Sequence, residues 1–294
     1  MQKITPYLWF DNEAKEAAEF YVSLFPQSEI KDITTLYDTP SGTAVSVTFD
    51  LLNQEFQAIS AGPLFKFNPS VSFHALLKTK EAVEEVWKQL SQGGMVLMEL
   101  GEYPFSEMYG WVQDKYGLSW QVAYSGEVGV KQKITPVITF VGKVCGEAEE
   151  AVNFWASVFR QAKVGTVLHY GKGEEPDQEG TLKYASFSLF GQDFAAMDSA
   201  HEHDFSFNEA ISFMVHCDNQ DEIDRYWGKL SAVPEAEQCG WLKDKYGLSW
   251  QIVPSILGEL LGGDDGERSA RVTQAFLSMK KFDIAKLQEA YDGK

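Results

Sequence analysis

The sequence predicts a protein of the α+β class in which one domain plan occurs twice. The octapeptide Asp114-Lys-Tyr-Gly-Leu-Ser-Trp-Gln121 returns unchanged as Asp244-Lys-Tyr-Gly-Leu-Ser-Trp-Gln251. Lys3-Ile-Thr-Pro6 returns at the same interval as Lys133-Ile-Thr-Pro136. Within each copy, strand patterns and amphipathic helix patterns follow the order β-α-β-β-β, and this order occurs twice. The repeat is therefore a domain of two similar modules and not a short solenoid unit.

The first half of each copy begins with a strand. Ile4–Phe10 is rich in β-branched and aromatic residues, with its proline near the start. Apolar residues in 14–25 recur at helical spacing, and Pro26 ends the pattern. Residues 44–52 alternate between apolar and polar side chains, which predicts a half-buried strand, and 55–60 follow as another.

The second half restarts the order. Residues 71–76 alternate as a strand, and Val83, Val86 and Leu90 then mark an amphipathic helix. Three β-prone segments complete the copy, and the second copy is shorter between its second helix and its last strands. The spacing predicts domains at residues 1–128 and 129–261, followed by a helical tail at 262–294. The apolar faces of the tail helices must dock on their own domain or on a partner.

Composition and charge limit the partners and the kinds of site that we expect for this chain. The chain is 44% hydrophobic and carries a formal net charge of −18, which disfavours nucleic acid and anionic membrane surfaces as partners. It contains no apolar run long enough for a membrane span, and the N-terminus lacks a secretory apolar region. Three cysteines with no close spacing form neither a disulfide framework nor a zinc pattern. We expect a protein of the reducing cytoplasm.

Several motifs together resemble a known family. They are Lys-Ile-Thr-Pro at the first strand, Phe-Tyr/Trp-x-Ser-x-Phe at the end of the first helix, Phe-Asn before Ser-Phe, and the terminal Gly-Trp-x-x-Asp-Lys-Tyr-Gly-Leu-Ser-Trp-Gln. The chain looks like a tandem copy of the PhnB-like, "3-demethylubiquinone-9 3-methyltransferase" family. This family belongs to the vicinal-oxygen-chelate superfamily of glyoxalases, bleomycin-resistance proteins and dioxygenases. The resemblance implies that each domain pairs two βαβββ modules in a curled eight-stranded sheet around a cavity, with helices outside.

The resemblance also implies a divalent metal held by His and Glu side chains. The last strand in the superfamily usually ends Gly-His-x-x-Glu, whereas this chain has Gly117-Leu118-Ser-Trp-Gln121 and Gly247-Leu248-Ser-Trp-Gln251. Leucine replaces histidine and glutamine replaces glutamate, and a neutral amide is a weak ligand for a transition metal. We therefore expect no cofactor, with a divalent metal as the alternative.

Trp120, Gln121, Trp250 and Gln251 are the leading ligand-binding candidates. One interpretation has tryptophan packing the core and glutamine pairing with the backbone. The other has the amide orienting a ligand oxygen while the indole forms a wall of the pocket. The sequence alone leaves both interpretations open.

The histidines add weaker candidates. His74 and His216 lie on the strands that open the second halves of their copies, although they do not correspond in the alignment of the two copies. They are candidate ligand-binding residues, with ordinary strand positions as the alternative. His201 and His203 form a His-x-His pair in a loop, which could chelate a metal or lie unused on the surface.

Three functional hypotheses follow. The first is a glyoxalase- or bleomycin-resistance-like protein that binds or modifies a small organic molecule without the usual metal triad. The second is an enzyme: a metal-dependent lyase, isomerase or dioxygenase with atypical ligands, or the methyltransferase that the family description implies. No glycine-rich turn typical of S-adenosylmethionine binding occurs after a strand. The third is structural, a pseudo-dimer within one chain that is also compatible with a homo-oligomer.

Overall fold

The computed structural model describes residues 2–39, 42–126, 132–262 and 266–294. The predicted boundary at residues 128 and 129 lies outside the described residues. No helix within these ranges is long and apolar enough to cross a membrane. The first copy contains β1 (Ile4–Phe10), α1 (Ala14–Leu24), β2 (Glu29–Thr39), β3 (Gly42–Leu51), β4 (Gln54–Ser60), β5 (Val71–Leu77), α2 (Lys80–Ser91), β6 (Met95–Tyr103), β7 (Ser106–Gln113) and β8 (Ser119–Tyr124).

The second copy repeats this order and adds the tail. Its elements are β9 (Ile134–Val141), α3 (Ala148–Val158), β10 (Lys163–His169), β11 (Leu182–Leu189), β12 (Gln192–Ser199), β13 (Ile211–Cys217), α4 (Gln220–Leu230), β14 (Trp241–Lys243), β15 (Ser249–Pro254), α5 (Leu257–Leu261), α6 (Gly266–Leu277) and α7 (Ile284–Asp292). We number the modules in chain order: β1–β4, β5–β8, β9–β12 and β13–β15. In module 4, a 3-10 turn at Pro234–Ala236 stands in the stretch where module 2 has β6, which agrees with the shorter second copy.

Each sheet combines modules from different copies. The seven-stranded sheet joins module 4 to module 1, and the eight-stranded sheet joins module 3 to module 2. The junctions are antiparallel pairs, β1 with β13 and β5 with β9. The α+β class and the tandem modules agree with the prediction, but the expectation that each copy forms its own eight-stranded sheet is wrong. The opening strands of modules within one copy do not pair, because each finds its antiparallel partner in the other copy.

The two modules of one copy share a hydrophobic core instead. Helices pack on one face of each sheet, which we call the helix face, and we call the opposite face the inner face. In the first copy, Tyr21 of α1 contacts Trp120 of β8 with ring centroids 5.2 Å apart, and Phe73 of β5 lies 5.6 Å from the same indole. All three side chains are fully buried. Each copy is thus the unit of the core, while each sheet is shared between copies.

The repeated octapeptide builds a buried hydrogen-bonding centre in this core. Asp244 accepts hydrogen bonds at Oδ2 from the indoles of Trp155 and Trp250, both at 2.9 Å. Its Oδ1 accepts from the backbone N–H groups of Tyr246 and Leu248, at 3.0 and 3.1 Å. Since Trp155 belongs to α3 and the other donors to the end of module 4, one carboxylate ties the two modules of the copy together.

The first copy builds the same centre with one change of donor. Asp114 Oδ2 accepts from the Tyr21 hydroxyl at 2.7 Å and from the Trp120 indole at 3.1 Å. Its Oδ1 accepts from the N–H groups of Tyr116 and Leu118. The Tyr21 hydroxyl of α1 thus donates to Asp114 where the Trp155 indole of α3 donates to Asp244. The Asp and Trp of the two octapeptides thus have the same structural role in both copies.

Burial of Asp244 predicts a pH dependence of stability. Desolvation raises the pKa of this carboxyl from 3.8 to about 6. Because the folded pKa exceeds the unfolded one, the stabilising contribution is complete below pH 3.8 and is lost as pH rises through 6. We expect the stability advantage of the wild type over Asp244→Asn to shrink by about 1.4 kcal/mol between about pH 5 and 7. Urea unfolding of both proteins at each pH measures this, and parallel pH profiles would contradict it.

The Phe-Asn motifs lock the two copies together. Asn68 Nδ2 donates to the carbonyl of Ser206, and Asn208 Nδ2 donates to the carbonyl of Lys66, both at 2.9 Å. The two contacts are reciprocal and involve the loops that precede β5 and β13. They connect the two sheets at the points where these loops lead into β5 and β13.

The tail docks on the second copy. Two backbone N–H groups that precede β14 donate to the tail: Cys239 to the carbonyl of Met279 at 2.8 Å and Gly240 to that of Lys280 at 2.7 Å. The buried Phe282 ring packs against Gly240, where a Cβ atom would lie 2.4 Å from a ring carbon. The carbonyl of Phe282 also accepts from Gln220 at the start of α4. Helices α6 and α7 pack against each other and against α5, while the segment between them contacts module 4, so the tail is docked within the chain.

Candidate functional site

A polar cluster lies on the inner face of the eight-stranded sheet. Gln121 of β8 donates from Nε2 to Ser72 Oγ at 2.8 Å and accepts at Oε1 from the Tyr109 hydroxyl at 2.9 Å. The parallel register of β5 and β8 sets His74 beside Gln121. We call Ser72, His74, Tyr109 and Gln121 the Gln121 cluster. Three neighbouring strands supply it, so its geometry is fixed by the sheet.

His74 is the least satisfied member of the Gln121 cluster. Its Nε2 is buried and has no hydrogen-bond partner, and its ring meets Tyr109 edge-on with centroids 6.1 Å apart. Burial lowers the pKa of this imidazole from 6.5 to about 4, so the ring is neutral at pH 7. A neutral imidazole can donate from one nitrogen and accept at the other. The sequence candidate His74 therefore offers an unused polar atom beside Gln121.

The inner face of the seven-stranded sheet carries a reduced version of the cluster. Gln251 donates from Nε2 to Ser212 Oγ at 2.9 Å, as Gln121 does to Ser72. Met214 takes the place of His74, since it lies opposite Gln251 in the register, and Cys239 takes the place of Tyr109. Only the Gln-Ser pair is common to both sheets.

His216 lies on the same inner face but is already paired. Its Nε2 lies 3.1 Å from the hydroxyl of Thr5 on β1, and burial lowers the pKa of its ring. The contact crosses the junction between β1 and β13, so it links the two copies. His74 and His216 therefore lie in different sheets and do not form a common site.

Trp120 and Trp250 lie on the opposite side of their strands from the neighbouring glutamines. Both indoles are fully buried on the helix face and donate to Asp114 and Asp244. Alternation along a strand separates Trp120 from Gln121. The packing interpretation describes the geometry of these two tryptophans, whereas the glutamine side chains face the inner surfaces.

His201 and His203 lie at a separate opening on the surface. A cavity of about 790 Å³ is lined by Gly142, Cys145, Gln178, Ala200, His201, Glu202, His203 and Asp204. His201 Nε2 lies 3.8 Å from Asp177 Oδ2, whereas His203 Nε2 lies 2.9 Å from Ser199 Oγ. The two imidazoles are engaged by different partners, and their ring centroids are 6.4 Å apart. This arrangement does not converge on one metal position.

The donor set of the Gln121 cluster does not fit the metal that the superfamily implies. The cluster offers one imidazole, one amide and two hydroxyl groups, and the amide oxygen already accepts from Tyr109. Transition metals in proteins favour imidazole, thiolate and carboxylate ligands in sets of three or more. Within the described ranges, no group of three or more His, Cys, Asp or Glu side chains is placed to hold a metal ion.

Sequence reasoning missed Ser72 and Tyr109. Both are ordinary strand residues, and nothing in their local pattern marks them. Ser72 has a usable signal in the repeat, because its counterpart Ser212 also precedes a phenylalanine. Tyr109 has no such signal, because its counterpart is Cys239.

Several known proteins resemble this chain in sequence or in fold. A putative 3-demethylubiquinone-9 3-methyltransferase, PhnB protein, from Bacillus cereus is 42% identical over 42% of this chain and 100% of that one, with a TM-score of 0.40. Glyoxalase I from Zea mays is 10% identical, over 85% of this chain and 91% of that one, with a TM-score of 0.55.

A putative dioxygenase from Bacillus subtilis is 11% identical, over 85% of this chain and 83% of that one, with a TM-score of 0.51. Glyoxalase I from Zea mays and the putative dioxygenase from Bacillus subtilis share the fold with this chain. A comparison with curated proteins gives no match. The family described as 3-demethylubiquinone-9 3-methyltransferase matches residues 2–123 and again 132–253. The chain therefore belongs to this family, as a tandem of two copies.

Proposed function

We propose that this protein binds a small organic molecule on the inner face of a sheet, through the glutamine amide that ends each copy, without a metal triad. The observation that carries the proposal is the Gln-Ser pair, Gln121 with Ser72 and Gln251 with Ser212. Each pair fixes a buried amide on the sheet face opposite the helices. Ligand sites commonly combine a few such oriented polar groups with an apolar lining.

The first experiment is a thermal-shift screen of small metabolites and antibiotics, with S-adenosylmethionine included. A ligand that binds the native state at about 100 times its Kd stabilises the protein by about 2.7 kcal/mol, which raises Tm by about 5 °C or more. We expect an uncharged compound to produce such a shift, and S-adenosylmethionine to produce none. A shift with S-adenosylmethionine would favour the methyl-transfer hypothesis instead.

The site assignment is tested by the double variant Gln121→Ala/Gln251→Ala. We expect it to lose at least about tenfold in affinity for a hit from the screen, because each amide hydrogen bond contributes about 1 kcal/mol or more. The matched control is Gln113→Ala, which changes a glutamine of β7 that donates to the carbonyl of Gly117. If the double variant binds as the wild type does, the glutamines do not form the site.

Metal content separates this proposal from metal-dependent catalysis. We expect untagged protein, purified without chelator, to contain substoichiometric Ni, Zn, Mn and Fe. Elemental analysis measures this directly. One equivalent of any of these metals per chain would overturn the metal-free mechanism, and it would direct attention to a metal-dependent lyase, isomerase or dioxygenase.

A further inference from the structure

The two inner faces differ in the side chains that they carry beside the glutamine. On the seven-stranded sheet, β1 presents Tyr7 directly opposite Ser212. Trp241 packs edge-on against Tyr7 and Trp9, with ring centroids 5.8 and 6.2 Å apart. These three large rings occupy the inner face next to Gln251. The hydroxyl of Ser249 nearby is left buried without a partner.

The eight-stranded sheet has smaller side chains at the places of Tyr7 and Trp9. Val137 lies opposite Ser72, where the other sheet has Tyr7, and Thr139 takes the place of Trp9. Trp111, the counterpart of Trp241, is paired with Gln121 in the strand register, and its Nε1 donates to Ser119 Oγ at 2.8 Å. The Thr139 hydroxyl is buried and has no partner. At these three positions this face thus carries one large ring where the other carries three, and it has two unsatisfied polar atoms, on His74 and Thr139.

An aromatic group borders the same face. Tyr103 and Phe105, at the tip of the β6–β7 hairpin, stack with centroids 5.6 Å apart, and both contact the ring of Tyr109. Phe105 is 67% exposed, although it is adjacent to this cluster. The second copy has no aromatic residue in the corresponding stretch, 231–240. A planar aromatic surface therefore stands beside the Gln121 cluster and has no counterpart on the other sheet.

The charge of the cluster defines the ligand further. Its hydroxyl and amide groups are neutral, and burial keeps His74 neutral at pH 7. A carboxylate or phosphate on this face would lose its hydration without gaining a cationic partner from the cluster, which is strongly unfavourable. An uncharged hydroxyl or carbonyl group can instead pair with the free Nε2 of His74, which lies beside Gln121.

We infer that ligand binding is confined to the inner face of the eight-stranded sheet, and that the ligand is an uncharged planar aromatic molecule with a hydroxyl or carbonyl group. The polar group contacts the Gln121 cluster, and the ring lies against Phe105 and Tyr103. This inference rests on the proposed function, and it assigns that function to one of the two sheets.

The test uses three probes with the full-length protein: 1-naphthol, naphthalene-1-sulfonate and cyclohexanol. Calorimetry and tryptophan fluorescence give affinity and stoichiometry. We expect 1-naphthol to bind most tightly, with one molecule per chain. We expect Phe105→Ala to weaken 1-naphthol binding about fivefold, through loss of one ring contact. Gln121→Ala should weaken it about tenfold, through loss of the oriented amide.

Two control variants sharpen the result. Leu64→Ala removes a side chain that is as exposed as Phe105, at 69%, from a loop of module 1, and it should leave affinity unchanged. Gln251→Ala is the control for the other sheet, and it should weaken 1-naphthol binding less than Gln121→Ala does. Because Phe105 is exposed, its replacement cannot unfold the core, so this arm is informative even if Gln121→Ala is unstable.

Each contrary outcome has a distinct meaning. Two molecules per chain, or equal losses in Gln121→Ala and Gln251→Ala, would overturn the restriction to one sheet while leaving the proposed function intact. Equal binding of the sulfonate or of cyclohexanol, no effect of Phe105→Ala, or no binding of 1-naphthol would overturn the ligand class. Unchanged binding in the double glutamine variant would overturn the proposed function itself.

Discussion

Replacement of Asp244 by alanine is expected to lower the free energy of unfolding by about 4 kcal/mol, a loss at the upper end for single substitutions. The carboxylate is fully buried and accepts four hydrogen bonds, two of them from the indoles of Trp155 and Trp250. Alanine leaves these donors without partners in a site that excludes water, and it also creates a cavity. Urea unfolding followed by circular dichroism measures the loss.

The control is Glu150→Ala, which touches the same octapeptide from the surface. Glu150 accepts from the Tyr246 hydroxyl at 3.0 Å and pairs with Lys245. Because this contact is exposed, its removal should cost far less than the removal of the Asp244 carboxylate. Asp114→Ala should resemble Asp244→Ala, since the first copy builds the same centre. A loss below about 1 kcal/mol in Asp244→Ala would contradict the structural role of the octapeptide.

Cleavage between the copies is expected to leave one folded particle. A protease site inserted within residues 127–131 would divide the chain into two pieces of similar size. The pairs β1–β13 and β5–β9, together with the reciprocal contacts of Asn68 and Asn208, should then hold the pieces together. Dissociation would divide both sheets and expose four strand edges, those of β1, β13, β5 and β9, at a cost of many backbone hydrogen bonds.

Size-exclusion chromatography with light scattering tests this expectation. The cleaved protein should elute with the mass of the intact chain, and its Tm should rise with protein concentration, because association is now bimolecular. Uncleaved protein with the same inserted site is the control, and its Tm should not depend on concentration. Separation of the cleaved pieces at micromolar concentration would show that the sheets are not shared between copies.

Local sequence patterns predicted most elements but not their pairing. Amphipathic spacing identified α1 and α2, since a helix with one buried face repeats its apolar residues every third or fourth position. The edge strand β2, Glu29–Thr39, escaped notice because an edge exposes much of its surface and so lacks clean alternation. The exchange of modules could not be predicted, because β1 and β9 have nearly the same sequence pattern and could pair with either copy.

The sequence likewise predicted part of the candidate site and missed the rest. The repeat drew attention to Gln121, and the departure from the superfamily ending gave it a chemical meaning. Trp120 is adjacent to Gln121 in the sequence, but side chains alternate along a strand, so the two lie on opposite faces of the sheet. The unsatisfied state of His74 and the bond between Tyr109 and Gln121 depend on neighbouring strands, so no pattern along one segment could reveal them.

The sharing of sheets has a consequence for how such a protein can change. If a one-copy chain paired with itself in this way, symmetry would place every substitution in both inner faces at once. In the joined chain each position occurs once, so one inner face can carry Tyr7 where the other carries Val137. Joining two copies in one chain thus removes a symmetry constraint. One inner face can specialise while the other keeps only a structural role.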